Sequence, residues 1–156
     1  MGKKTFNCNH GGIKMTRKLV KRIDMALHVQ ELCAMHNITV KYQSLKEVLP
    51  RYYANQKTRT ICIRPTKNTG YYVSALHEIG HILGSNQTSD FDTIEKEIGA
   101  WKFAMVNALV WTDTASSIMK RALITYGMPD GHWNALWNEC TDYVKLVHSR
   151  VKNYVS

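Results

Sequence analysis

His77-Glu78-Ile79-Gly80-His81 is the stretch of this chain whose residue types and spacing can do chemistry. On a helix, residues four apart share one face about one turn from each other. Two imidazoles placed that way can both reach one zinc ion at roughly 2.0–2.1 Å. Glu78 sits one step round from the first ligand, where it can hold and deprotonate a water on the same metal. The competing reading is a surface helix carrying two unrelated histidines, because a five-residue pattern also arises by chance.

A hydrolytic zinc site takes three protein ligands and keeps a fourth position for water. The third ligand is sought in the segment from Asp90 to Ala104, where a helix is expected to run on to about Trp111. Ile94, Ile98, Trp101, Met105 and Ala108 form its apolar stripe. Glu97 falls beside that stripe, with Trp101 and Ala104 at i+4 and i+7, whereas Glu95 shares a face with Gly99 and Lys102. A carboxylate on a buried face is costly unless it is paired or bound to a metal. Glu97, not Glu95, is therefore assigned as the third ligand. The alternative is that Glu97 reaches solvent or pairs with Lys102 or Arg121. Stabilising a developing oxyanion needs one more group, usually Tyr or His. Tyr52, Tyr53, Tyr71, His132 and His148 are available, with Tyr71 and His132 put forward.

Several elements must position these groups. Asn68 or Thr69 can cap the motif helix, and Gly84 fits a C′ stop. Val73, Leu76, Gly80 and Leu83 recur at helical spacing, so one side of it is expected to be buried. Ser89 with Asp92 resembles a capping box for the next helix. Ahead of the motif, Thr16 to about Met35 reads as a helix with Lys18, Lys21 and Arg22 outside and Leu19, Val20, Ile23 and Leu27 inside. Ile38 to Tyr42 alternates as a strand. Arg51 to Ala54 and Thr58 to Ile63 suggest a hairpin around Asn55-Gln56-Lys57, the second arm being rich in β-branched residues. Beyond the second site helix, Asp113 can cap a helix ending near Gly127. Met128-Pro129-Asp130-Gly131 reads as a turn, and a last helix runs from about His132 to Tyr154. The expected class is α+β, mostly helical, with a small antiparallel sheet before the motif helix.

The run HEIGHILG, followed by a helix reading E-x-x-A-W-x-F-A, resembles the ImmA/IrrE family of zinc metallopeptidases. Glu97, Ala100, Phe103 and Ala104 match the family pattern, and Trp101 stands where Asn is usual, as in phage-borne relatives. The usual Leu-Met-Pro segment is replaced by Met105 to Leu109, and no helix-turn-helix precedes the motif. The resemblance covers residues 38 to 105. It implies a zincin-like fold with a gluzincin-type site, and cleavage of a regulatory protein such as a repressor. It also implies that the strand just before the motif helix lines the cleft and pairs with an extended substrate by strand addition.

Length and composition bound the rest. With 156 residues, 44% of them hydrophobic, the chain can bury a sizeable core as one domain over 1–156. The 4 cysteines, Cys8, Cys33, Cys62 and Cys140, include no C-x-x-C pair, which favours free thiols in a reducing, cytoplasmic compartment. Cys8-Asn9-His10 could open a second metal site, although no partner pair is evident. No apolar signal region stands at the N-terminus, and no run approaches the roughly 18 apolar residues of a membrane span. The formal charge is +9, and before Asp24 the only charged side chains are Lys3, Lys4, Lys14, Arg17, Lys18, Lys21 and Arg22. Such a face could dock on nucleic acid or an acidic protein, steer an acidic substrate, or be only a solvated helix face.

The expected function is a zinc-dependent peptidase acting on a protein or peptide, with Glu78 as general base on zinc-activated water. Two other readings stand beside it. One is a catalytically inactive zincin-fold binding protein that uses the basic N-terminal face. The other is a DNA-associated protease of the SprT type, which needs a third histidine soon after the motif, whereas the next one here is His132. Retention of Glu78 favours an enzyme, because a purely structural site needs no base.

Overall fold

The computed structural model describes residues 20–44, 46–47, 52–129 and 131–140. Helix α1 (Arg22–Met35) leads into strand β1 (Thr39–Tyr42), then β2 (Tyr53–Asn55) and β3 (Thr60–Ile63). Helices α2 (Thr69–Leu83), α3 (Thr93–Asn107) and α4 (Asp113–Thr125) follow, and a further helix covers 132–140. The result is α+β and mostly helical, as expected, but the sheet is mixed rather than antiparallel. Its order is β1-β3-β2, with β1 parallel and β2 antiparallel to β3. The hairpin takes one edge of β3, and the long connection after β1 leaves that strand to pair on the other edge, pointing the same way. Alternating apolar residues carry no information about strand direction, so the sequence pattern could not distinguish the two arrangements.

β3 is the hub because it pairs on both edges and its Ile61 and Ile63 face is fully buried, with Thr60 nearly so on the other face and Cys62 partly exposed. α2 lies across β2 and β3 on one side and packs most extensively on α3. The core joins Met25, Val29 and Cys33 of α1 to Val73, Leu76 and Ile79 of α2, Trp101 and Met105 of α3, and Met119 and Leu123 of α4. Burying each large apolar side chain of this kind contributes about 1.5–3 kcal/mol relative to exposure. Tyr72 pins three segments from inside the core: its hydroxyl accepts the Leu109 N–H at 2.9 Å and lies 2.7 Å from His28 Nδ1.

Several boundaries differ from the sequence expectation. α1 starts at Arg22, not Thr16. Lys21 is extended, and its N–H donates to the Asp24 carboxylate at 2.8 Å, so an acid three residues on sets the start. Residues 16–19 lie outside the described residues. The inward stripe of α1 is Met25, Val29 and Cys33, while Ile23 and Leu27 are exposed. Lys21 and Arg22 face solvent as expected, and Val20 is buried. α3 is capped by Asp92 with Glu95, not by Ser89 with Asp92, and it ends at Asn107 rather than near Trp111. Past that end, Trp111 is buried and donates from Nε1 to Ser116 Oγ at 3.0 Å, which holds the chain against α4 instead of in α3. Thr112, not Asp113, caps α4, because its hydroxyl reaches the Ala115 N–H. Gly84 does cap α2, but with φ −75° rather than in the left-handed region. The last helix beyond residue 140, with His148, lies outside the described residues.

Candidate metal centre

The site begins with two helix caps. Asn68 accepts the Tyr71 N–H at 2.9 Å and so sets the start of α2, which turns His77 and His81 toward α3. In α3, Asp92 accepts the Glu95 N–H at 2.9 Å, and the Glu95 carboxylate accepts the Asp92 N–H at 3.0 Å. The cap therefore occupies the exposed Glu95, and Glu97, two residues on, is buried facing α2. The two helices come close because Gly80 and Gly99 lie at their crossing. A Cβ on Gly99 would fall 2.9 Å from the Ser85 carbonyl carbon, so the loop after α2 can rest on α3 only without a side chain there.

Three residues bring potential ligand atoms together at this crossing. His77 Nε2 is 3.1 Å from His81 Nε2 and 3.2 Å from Glu97 Oε2, and His81 Nε2 is 3.3 Å from Glu97 Oε1. A tetrahedral cation with bonds of about 2.0–2.1 Å separates its ligands by about 3.3–3.4 Å. The two imidazole nitrogens approach different oxygens of the one carboxylate, and with one ligand atom taken from each residue all three lie within 4.8 Å of one another, near enough to close on one such ion. His77, His81 and Glu97 form a candidate metal site. The donor set suits it: Glu97 Oε2 is buried and makes no hydrogen bond of ordinary geometry, and two imidazole nitrogens face the same space.

The electrostatics of these groups are strongly coupled. Burial alone would raise the Glu97 carboxyl, but the close approach of the His77 and His81 rings outweighs it and holds the group down at about 2. Burial lowers the pKa of His77. It pulls His81 the same way, yet the bond to Glu97 wins and His81 is shifted up. Glu78 is pushed up to about 7, first by burial, with the Glu97 charge adding to the rise and His81 opposing it.

The imidazoles are held by different means. The His77 ring stacks on Trp101, with centroids 4.2 Å apart and planes 26° from parallel, and its Nδ1 has no hydrogen-bond partner among the described residues. His81 Nδ1 lies 3.1 Å from Gln87 Oε1. Gln56, in the β2–β3 turn, donates to the main-chain oxygens of His81 at 2.6 Å and Gln87 at 3.1 Å. The hairpin is therefore tied directly to the helix that carries both histidines.

The site opens into a cleft of about 530 Å³ whose lining includes His77, Glu78, His81, Glu97, Tyr52, Tyr53, Gln56, Gln87, Lys96 and Tyr126. Of the tyrosines named from sequence, Tyr52 and Tyr53 line it. Tyr71 and His132 do not: the Tyr71 hydroxyl lies 3.5 Å from Arg64 Nη1, and His132 is exposed on the 132–140 helix. The strand just before α2 is not the open one, because β3 is paired on both sides and β2 forms the edge beside the cleft. Lys102 pairs with Glu139 at 2.8 Å and leaves Glu97 to the histidines.

Sequence reasoning missed Tyr126, Gln56 and Gln87. Tyr126 comes from the end of α4, and the charge on Glu97, followed by burial, raises its pKa, which marks its closeness to the site. Trp101 had a signal, its i+4 spacing from Glu97, but its contact with His77 depends on the crossing of α2 and α3. No protein-family model, curated protein or solved structure matches this chain. Among the described residues Cys33, Cys62 and Cys140 are free thiols, and no helix is long and apolar enough to cross a membrane. Cys8, His10 and the basic residues Lys3, Lys4, Lys14, Arg17 and Lys18 lie outside the described residues.

Proposed function

We propose that this protein is a zinc-dependent metallopeptidase of zincin type, similar in kind to the ImmA/IrrE peptidases, and that it cuts a protein substrate. The observation that carries the reading is the triangle of His77, His81 and Glu97 donor atoms next to a buried Glu78 in one polar cleft. His77 and His81 through Nε2, and Glu97 through its carboxylate, would hold the ion. Zinc, when bound, supplies a Lewis acid for the scissile carbonyl and makes water more acidic.

The chain's own residues do the rest. Glu78 accepts the proton of the attacking water and delivers it to the leaving amine nitrogen. Its burial excludes bulk water and makes it a stronger base than an exposed carboxylate. Tyr126 is half exposed at the cleft and electrostatically coupled to both Glu97 and Glu78, so we assign its hydroxyl as the donor to the developing oxyanion. β2 offers main-chain groups at Tyr53, Ala54 and Asn55 along an edge that no described strand covers, where an extended peptide can add as a further strand.

The test is metal analysis combined with proteolysis. One zinc per chain is expected, together with cleavage of an unfolded protein substrate that Glu78→Gln abolishes without loss of the metal. A chain that takes up no divalent metal, or a Glu78→Gln variant that cuts as well as wild type, would sink the proposal.

A further inference from the structure

Gln87 lies in the loop between α2 and α3 and is held from several sides. Its side-chain Nε2 donates to the Ser85 carbonyl at 2.8 Å and to the Lys96 carbonyl at 2.7 Å. Carbonyl oxygens only accept, so both amide hydrogens are used there and the orientation of the amide is not open to a flip. The oxygen, Oε1, is left facing His81 Nδ1 at 3.1 Å. An oxygen with no hydrogen to give can be satisfied only by an N–H on that nitrogen. In a neutral His81 imidazole this contact favours the one proton on Nδ1, with the Nε2 lone pair toward His77 and Glu97, against the pull of Glu97 Oε1, 3.3 Å from Nε2, for a proton there.

We propose that Gln87 is a positioning residue that locks His81 in the Nδ1–H tautomer and aims its Nε2 at the metal position. This rests on the metal reading above for its purpose, though not for its geometry. The two histidines differ in this respect. His77 is held by the face of Trp101 and, among the described residues, has no polar partner on Nδ1, so no group grips its far nitrogen as Gln87 does that of His81. His81 is the less buried ring and lies at the C-terminal end of α2, where Gln87 holds its Nδ1 side while Nε2 faces His77 and Glu97. Outer hydrogen bonds of this kind orient a ligand and raise its basicity toward the metal. Gly99 belongs to the same device, since the Ser85 carbonyl that accepts from Gln87 sits where any Cβ at position 99 would intrude.

Gln56 anchors the loop through the main-chain oxygen of Gln87, which a side-chain substitution leaves in place. The loop is therefore expected to persist in Gln87→Met, which keeps the length and removes both amide functions. Gln87→Glu keeps an acceptor for Nδ1–H and loses the two donations.

The experiment uses the full chain stripped of metal, at pH 8.5, and long-range proton–nitrogen correlation spectra of the histidine rings, with His81 assigned by its loss in His81→Gln. Wild type is expected to show Nδ1–H and bare Nε2 at His81. Gln87→Met should shift His81 toward the Nε2–H form and weaken zinc binding, read by chelator competition, by about 10–100-fold. Gln87→Glu should restore the Nδ1–H pattern. An Nε2–H tautomer in wild type overturns the inference without any variant. A Gln87→Met chain that keeps both the Nδ1–H tautomer and zinc affinity within about threefold overturns it too. A wild-type chain that shows Nδ1–H at His81 but binds no zinc overturns the metal reading and leaves the Gln87 lock supported.

Discussion

Gly80 packs directly on the backbone of Ala100. A Cβ on Gly80 would fall 2.8 Å from Ala100 Cα and 2.9 Å from its carbonyl carbon, and nearer still to the carbonyl oxygen. Because the obstacle is helix backbone and not a flexible side chain, Gly80→Ala must push α2 and α3 apart. The expected loss is about 1–3 kcal/mol, the usual range for overpacking. Separating the helices also carries His77 and His81 away from Glu97, so zinc affinity should fall along with stability. Urea unfolding and chelator competition on the same preparation check both. Affinity unchanged in a destabilised variant would mean that the crossing does not set the site.

The two glutamates of α3 should separate cleanly. Glu97→Ala, His77→Ala and His81→Ala are each expected to lose bound zinc in metal analysis. Glu95→Ala should retain it and lose about 1 kcal/mol of stability, because its carboxylate completes the cap and lies outside the triangle. Zinc lost from Glu95→Ala and kept by Glu97→Ala would reverse the ligand assignment.

Glu78→Gln is expected to lower hydrolysis by about 10²–10⁴-fold, the usual contribution of a general base. It should also make the metal-free chain more stable at high pH. The carboxyl of Glu78 is raised from 4.5 to about 7 by burial. A raised acid holds its proton more tightly when folded, so its contribution is full below pH 4.5 and is lost as pH rises through 7. At pH 8 the wild type carries a buried carboxylate that the amide does not. The gain there should be on the order of 2–3 kcal/mol, shrinking toward zero at pH 4. Thermal melts of both metal-free proteins at pH 4 and pH 8 read this difference directly.

Zinc affinity should weaken as the solution is acidified. His81 is raised above its ordinary 6.5 by its bond to Glu97, so in the metal-free chain it holds a second proton up to a pH above that value. Zinc must displace that proton, and mass action then weakens affinity by about tenfold for each pH unit once the proton is bound. Competition titrations between pH 6 and pH 8.5 should show the decline starting above pH 6.5. A flat profile across that range would contradict the coupling of His81 to Glu97.

Tyr126→Phe removes one hydroxyl from the cleft. If that hydroxyl serves the oxyanion, kcat should fall by about 10²–10³-fold with KM and zinc content near wild type. Tyr71→Phe and His132→Ala should change kcat little, because neither side chain lines the cleft. A Tyr126→Phe variant of wild-type kcat would transfer the role to Tyr52 or Tyr53.

The three residues of the candidate metal site could be named from the sequence because their signals are nearly local. His77 and His81 are fixed relative to each other by one turn of helix, and Glu97 betrayed itself as an acid beside an apolar stripe. The same local logic located β1, the hairpin and the presence of each described helix. It misplaced helix starts where a competing side chain made the better cap, as Thr112 did over Asp113 and Asp92 over Ser89. It turned the wrong side of α1 inward because Ile23 and Leu27 are as apolar as Met25 and Val29, and only the neighbouring elements decide which stripe is covered.

Residue types and their periodicity thus determined that His77 and His81 share one face with Glu78 beside them and that Glu97 stands next to an apolar stripe, because those relations hold within single helices; their meeting was decided by the crossing of α2 and α3. Strand direction in the sheet, the edge offered by β2, the arrival of Tyr126 and the grip of Gln87 on His81 were decided by the tertiary structure alone. Each depends on distances between segments far apart in the chain, and those distances come from packing around β3 and the close crossing of α2 and α3, which no local spacing encodes.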